Sequence, residues 1–125
     1  MWVALVDGNA LEDALVRRAA RLLPDDSRRR RFDGRGLIPW LVESWTEEDD
    51  LAEALSFLCR RYLEELQDDV MIETREKWPA TRSGEIPTGF VTVDLQARTI
   101  RMGYVATDEV FNLDPISIDD CLLRG

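Results

Sequence analysis

The chain contains 125 residues, of which 25 are acidic and 16 basic, and it has no histidine and a net charge of −9. The missing histidine excludes Ser-His-Asp triads, Cys-His pairs and histidine-containing zinc sites, and two cysteines cannot form a Cys₄ zinc site. No apolar run approaches the ~20 residues that cross a bilayer. The first residues also lack the basic segment with which a signal peptide begins. We therefore expect one acidic domain, residues 1–125, that is cytoplasmic and binds neither a membrane nor a cofactor.

A short strand and a helix are predicted near the N-terminus. Trp2–Val6 is predicted as the strand, with an N-terminal extension of the helix as the alternative. The helix itself is predicted to begin at Asn9 as its N-cap. An apolar stripe at helical spacing follows: Leu11, Leu15, Ala19, Leu22 and Leu23. Pro24 is expected to end this helix.

An arginine run is the sharpest local feature of the next segment. Arg28–Arg31 resembles a phosphate-binding cluster, because arginines neutralise nucleic-acid charge. The net negative charge of the chain and the lack of interleaved aromatic residues argue against nucleic-acid binding. We expect instead a solvated loop or a clamp onto the acidic half of the chain. Pro39 then suits the first turn of a short helix.

The clearest predicted element is a helix over residues 47–67. Thr46 and Asp49 form a capping-box pattern at its start. Its apolar stripe comprises Leu51, Leu55, Leu58, Tyr62 and Leu66, with Cys59 and Leu63 beside them. After the helix the apolar period changes to two, which predicts a strand over Val70–Arg75. A continued helix is the alternative.

A loop over residues 78–88 is expected to lead into a β-hairpin over residues 89–105, with Leu95–Arg98 as its loop. This register places four apolar residues on one face, Val93 opposite Ile100 and Val91 opposite Met102. On the other face Asp94 lies within reach of Arg101, so we expect a structural ion pair there.

The C-terminal residues predict one more strand and a helical turn. Ile116–Ile118 is the expected strand, and Asp119 and Asp120 begin the turn. Helices mostly come first and strands last along the chain. The predicted fold is therefore α+β, with N-terminal helices packed on one face of a small, mainly antiparallel C-terminal sheet whose edge is free to pair with a copy of itself.

Paired carboxylates are the catalytic groups that the composition leaves open. The candidate pairs are Glu73 with Glu76, Asp108 with Glu109, and Asp119 with Asp120. A small carboxylate-based enzyme or ligand-binding domain is the alternative function, with Tyr104, Glu73, Asp108 and Arg101 as candidates around a pocket.

The distribution of charge favours a different function. Residues 1–45 contain seven acids and eight basic residues, whereas residues 46–125 contain 18 acids and eight basic residues. Such a surface speeds association with cationic partners. We therefore predict a non-enzymatic protein-binding module that engages a basic protein. In size and charge the chain is similar to small immunity or antitoxin-like proteins. An acidic regulator or a polyanion mimic of nucleic acid fits these properties equally well.

The predicted partner-binding residues follow the long helix. The acids are Asp68, Asp69, Glu73 and Glu76, and Trp78 beside them is the expected apolar anchor. An indole that caps the core is the alternative for Trp78.

Overall fold

The computed structural model describes residues 6–23 and 51–122. The elements in chain order are α1 (Gly8–Ala19), α2 (Leu51–Thr74), β1 (Thr88–Asp94), β2 (Thr99–Val105), β3 (Val110–Asn112), β4 (Ile116–Ser117) and a 3₁₀ helix (Ile118–Cys121). Helices on the N-terminal side thus pack with a small antiparallel sheet, and the predicted α+β fold is confirmed. The predictions for residues 2–5, for Arg28–Arg31, for the helix after Pro39 and for the capping box at Thr46 lie outside the described residues.

The start of α1 differs from the prediction by two residues. Asp7, and not Asn9, is the N-cap, because its Oδ1 accepts hydrogen bonds from the backbone amides of Asn9 and Ala10, both at 3.1 Å. An aspartate in this position satisfies amides that have no partner within the helix. Leu11, Leu15 and Ala19 of the predicted stripe are buried on α1. The helix ends at Ala19 and not at Pro24, so Leu22 and the buried Leu23 lie beyond its end.

Arginines at the end of α1 fix this helix to the connection between β3 and β4. Arg18 Nε donates to the carbonyl oxygens of Asp114 at 3.0 Å and Pro115 at 3.1 Å, and its Nη2 donates to Pro115 at 3.0 Å. Arg21 Nη1 lies 2.5 Å from Asp114 Oδ2. Arg18 thereby satisfies loop carbonyls that no strand partner reaches, and Arg21 forms an ion pair with the Asp114 carboxylate.

The strand predicted over Val70–Arg75 is wrong, because α2 continues to Thr74. Gln67 and Val70 are buried at helical spacing from the preceding stripe, whereas Ile72 is 74% exposed. A short alternation does not outweigh a 3.6-residue period that the chain has already established. The helix ends where Arg75 adopts a φ of 58° and its amide donates to the carbonyl of Met71, a left-handed cap that satisfies a terminal carbonyl.

β2 is the central strand of the four-stranded sheet. β1 pairs with it along one side, and β3 and β4 share the other side. The predicted hairpin register is confirmed, with Val93 opposite Ile100 and Val91 opposite Met102. Asp94 is structural as expected, but its Oδ1 accepts from the amides of Gln96 and Ala97 at 3.0 Å, and the expected ion pair with Arg101 is not formed.

Gly103 permits the close approach of β2 and β3. A Cβ at this position would lie 2.0 Å from the carbonyl oxygen of Phe111. No side chain fits such a gap, so β3 can pair here only because the residue is glycine.

One hydrophobic cluster joins α1, α2 and the sheet. Tyr104 on β2 links two of these layers, because its hydroxyl donates to the carbonyl oxygen of Leu63 on α2 at 2.7 Å. The predicted C-terminal strand and helical turn are confirmed as β4 and the 3₁₀ helix. Val6 forms an antiparallel bridge with Leu122, which joins the segment before α1 to the segment after the 3₁₀ helix.

Candidate acidic interaction face

The last two turns of α2 carry the acids that the sequence selected. Asp68, Asp69 and Glu73 are all exposed, and Ile72 stands between them with 74% of its surface accessible. At about 100° per residue these four positions span an arc of about 140°. We call Asp68, Asp69, Ile72 and Glu73 the acidic face. The continuation of the helix creates it, because the predicted strand would have turned Ile72 towards the core.

The carboxylates of this region repel one another. Partial burial of Asp69, together with the nearby charges of Glu65 and Asp68, raises the pKa of the Asp69 carboxyl. The negative charge of Glu65 is partly compensated by Arg61, because Glu65 Oε1 accepts a hydrogen bond from Arg61 Nη2 at 2.9 Å. The last turn of α2 contains no basic residue, so nothing within that turn balances the negative end of the helix dipole.

The other two predicted residues lie beyond the end of the helix. Glu76 is exposed, and its backbone amide donates to Thr74 Oγ1 at 3.3 Å. Trp78 is only 7% exposed, and its Nε1 donates to the carbonyl oxygen of Leu22 at 3.2 Å. Its ring meets Tyr104 edge-on, with centroids 5.4 Å apart. The structure therefore places Trp78 in the core, as the capping alternative expected, and not beside the exposed acids.

Gln67 connects the helix beneath the acidic face to the following loop. Its buried Nε2 donates to the carbonyl oxygen of Trp78 at 3.1 Å and to that of Pro87 at 2.7 Å. These two bonds hold both halves of the segment 75–87 against α2. The C-terminal end of α2 is thereby fixed from the core side while its other side remains exposed.

The residues proposed for a catalytic pocket do not converge. Tyr104 points into the core, where burial raises the pKa of its phenol. Arg101 lies on the opposite face of the same strand, because neighbouring residues of a strand alternate. Glu73 stands on α2, and Asp108 on the turn between β2 and β3.

The remaining carboxylate pairs have structural contacts. Asp119 accepts hydrogen bonds from the Arg98 guanidinium, which lowers the pKa of the Asp119 carboxyl. Glu109 Oε1 accepts from the backbone amide of Arg82 at 2.6 Å. Within residues 6–23 and 51–122, no three cysteine, aspartate or glutamate side chains converge as a metal site would require.

Both cysteines are free and buried. Burial raises the pKa of the Cys59 thiol, and burial with the nearby Asp120 carboxylate raises that of Cys121 to about 11. A thiol with a raised pKa carries little of the nucleophilic thiolate at neutral pH. The placement of Cys59 in the helical stripe agrees with the sequence prediction.

Ile72 is the member of the acidic face that the sequence prediction missed. The strand predicted over Val70–Arg75 would place it on the same face as Val70. Continuing the helical period from Leu66 to Val70 instead puts Ile72 outside the stripe. That continuation is the one signal in the sequence that could have identified it.

Neither of the helices described, in residues 6–23 and 51–122, combines the length and the hydropathy needed to cross a membrane. Comparisons of the chain with protein-family models, with curated proteins and with solved structures found no match.

Proposed function

We propose that this protein is a non-enzymatic binding module whose acidic face engages a basic protein partner in the cytoplasm, in the manner of immunity, antitoxin-like or regulatory proteins. The observation that carries the proposal is the exposed Ile72 surrounded by three carboxylates on one rigid helix. A partner of matching chemistry presents arginines or lysines around an apolar contact. We assign the apolar anchor to Ile72, since Trp78 has little surface to offer.

The electrostatic cost of the acidic face supports this proposal. Glu65 and Asp69 are like charges four residues apart, a spacing that destabilises a helix by about 0.2–0.5 kcal/mol, and the charges of Glu65 and Asp68 add to partial burial in raising the pKa of the Asp69 carboxyl. Glu73 also lies in the last turn of α2, where a negative charge opposes the helix dipole. Cations of a partner would relieve these repulsions on binding. The groups that weaken the free helix therefore favour the complex.

The experiment uses the basic protein that co-purifies with this chain from its native host. Two double variants carry the same change in charge: Asp68→Asn with Asp69→Asn on the acidic face, and Asp108→Asn with Asp120→Asn away from it. All four residues are exposed. We expect the first variant to slow association by about tenfold or more, because steering depends on the local field, and the second to change it less than twofold.

A second pair of variants separates the apolar anchor from the charges. Ile72→Ser is expected to raise the dissociation rate about tenfold and to leave the association rate unchanged. Val110→Ser is the control, because Val110 is 55% exposed on β3. A melting temperature no lower than that of the wild type in all four variants shows that the fold is retained. Equal effects of the two aspartate pairs would refute a specific face and leave only the bulk charge.

A further inference from the structure

A pocket lies beside the C-terminal end of α2. It has a volume of about 320 Å³, which is at the lower end of the range for ligand pockets. The buried Trp78 and Pro79 form its floor, and Leu22 and Phe111, both partly buried, form its walls. The pocket therefore suits one large side chain or a small ligand with an apolar body.

Contacts that the fold already makes fix the shape of this pocket. Trp78 Nε1 donates to the carbonyl oxygen of Leu22 at 3.2 Å, which joins the floor to one wall. Phe111 lies opposite Tyr104 in the register of β2 and β3, and the Tyr104 ring meets Trp78 edge-on. Gln67 Nε2 holds the carbonyl oxygen of Trp78 from the core side. Because these groups are already in place, an occupant has few side chains to order on binding.

The polar groups that line the pocket favour a cation. Glu76 uses its backbone amide in a hydrogen bond to Thr74 Oγ1, whereas its carboxylate has no hydrogen bond or ion pair with any described residue. Thr74 is the last residue of α2 and also lines the pocket, so the negative end of the helix dipole lies there. Lys77 is the one cation among the described lining residues, and its Nζ donates to the carbonyl oxygen of Gly84 at 2.8 Å. That bond holds the ammonium group against the loop.

We infer that this pocket receives an arginine side chain of the basic partner, which stacks on Phe111 and pairs with the Glu76 carboxylate. The inference rests on the proposed function, because the partner supplies the arginine. Arginine combines an apolar stem with a planar cation that stacks on aromatic rings and forms paired hydrogen bonds with a carboxylate. An apolar side chain would contact the walls and leave the carboxylate without a partner, and lysine lacks the planar group.

The pocket lies next to the acidic face. Thr74 directly follows Glu73 in α2 and lies about 100° further around the helix. A partner whose cations cover Ile72 and Glu73 therefore reaches the pocket by extending around the end of the helix. Glu76 and Trp78, the two predicted partner-binding residues that the structure separates from the acidic face, both line this pocket.

Nuclear magnetic resonance of the isotope-labelled full chain tests the inference on the protein alone. The probes are a capped glycine-arginine-glycine peptide and the same peptide with citrulline, which has the shape of arginine but no charge. We expect the arginine peptide to shift the Trp78 indole N–H and the Ala80 amide saturably, with a dissociation constant of about 1–10 mM. The citrulline peptide should bind at least about fivefold more weakly, because it cannot pair with a carboxylate as a cation does.

Two variants with matched controls separate the carboxylate from the ring. Glu76→Gln should weaken binding of the arginine peptide about fivefold, and Asp108→Asn, an equal change in charge outside the pocket, less than about twofold. Phe111→Leu should weaken binding about threefold through the loss of stacking. Phe90→Leu is its control, because Phe90 is also partly buried in the sheet but does not line the pocket. An amide spectrum that matches the wild type away from each substitution shows that the fold is retained.

The results distinguish a failure of this inference from a failure of the proposed function. Equal binding of the two peptides, no binding of either at ~50 mM, or equal effects of a variant and its control would overturn the inference. In the complex with the co-purifying basic protein, Glu76→Gln should raise the dissociation rate about fivefold. An unchanged rate would overturn the inference while the acidic face still accounts for binding. The absence of any co-eluting basic protein would instead overturn the proposed function, and the inference with it.

Discussion

Replacing Gln67 with leucine tests how the loop before the sheet is held. The substitution conserves approximate volume and favours the helix, so its main effect is to remove the two hydrogen bonds from Gln67 Nε2 to the carbonyl oxygens of Trp78 and Pro87. Each carbonyl left buried without its partner costs about 1–3 kcal/mol, so the two together cost roughly 2–6 kcal/mol. The additional apolar burial of leucine offsets roughly 1 kcal/mol. We expect a net loss of about 1–5 kcal/mol in the free energy of unfolding.

Urea unfolding at 25 °C, followed by circular dichroism at one protein concentration, measures this loss. With a slope of about 2 kcal/mol/M, the midpoint should fall by roughly 0.5–2.5 M while the slope stays unchanged. Gln96→Leu in the exposed hairpin loop is the control and should change stability by less than about 0.5 kcal/mol. An equally small change for Gln67→Leu would refute the reasoning, because the loop would then be held by packing alone.

Three further predictions concern stability. Gly103→Ala forces a Cβ against the carbonyl oxygen of Phe111 and should cost about 3 kcal/mol or more in thermal unfolding. Arg75→Gly relieves a residue with a φ of 58° and should add about 0.5–1 kcal/mol in urea unfolding. The Arg98 guanidinium lowers the pKa of Asp119, so their contact stabilises the fold above the ordinary carboxyl pKa. That contribution is lost as the pH falls through the lowered pKa, and Asp119→Asn should remove this part of the acid-side decrease in melting temperature. Each prediction would be contradicted by one result. These results are wild-type stability of the Gly103 variant, lower stability of the Arg75 variant, and an unchanged decrease in melting temperature at low pH for the Asp119 variant.

The hairpin register could be predicted from the sequence because both of its strands alternate. The alternation excludes a register shifted by one residue, because Val91 and Val93 would then lie opposite the polar residues of β2, and the four-residue loop Leu95–Arg98 fixes the register among the remaining alignments. The end of α2 could not be predicted in this way. Two successive aspartates and a short alternation imitate a strand there, and only the burial of Gln67 and Val70 reveals that the helix continues.

The candidate site could be predicted only in part. Sequence analysis selected Asp68, Asp69 and Glu73, and α2 places all three on one exposed face. Acids that are close together in the sequence remain close together when the segment folds into a helix. Sequence analysis did not select Ile72, and it left Trp78 open between an apolar anchor and an indole that caps the core. An apolar residue in a segment of uncertain period has no preferred side until its neighbours pack. Local patterns also do not specify which strand forms the edge of a sheet. That β1 pairs only with β2 among residues 6–23 and 51–122 follows from the way the strands assemble.

Purification of the tagged protein from its native host at two salt concentrations tests the central claim most directly. At ~100 mM salt the Debye length is about 10 Å, and at ~500 mM it is only a few ångströms, so an interaction steered by the acidic face should weaken between them. We expect one basic protein to co-elute in fixed stoichiometry at the lower salt and in a smaller amount at the higher salt. A chain that elutes without any basic protein at both salt concentrations would contradict the proposed function.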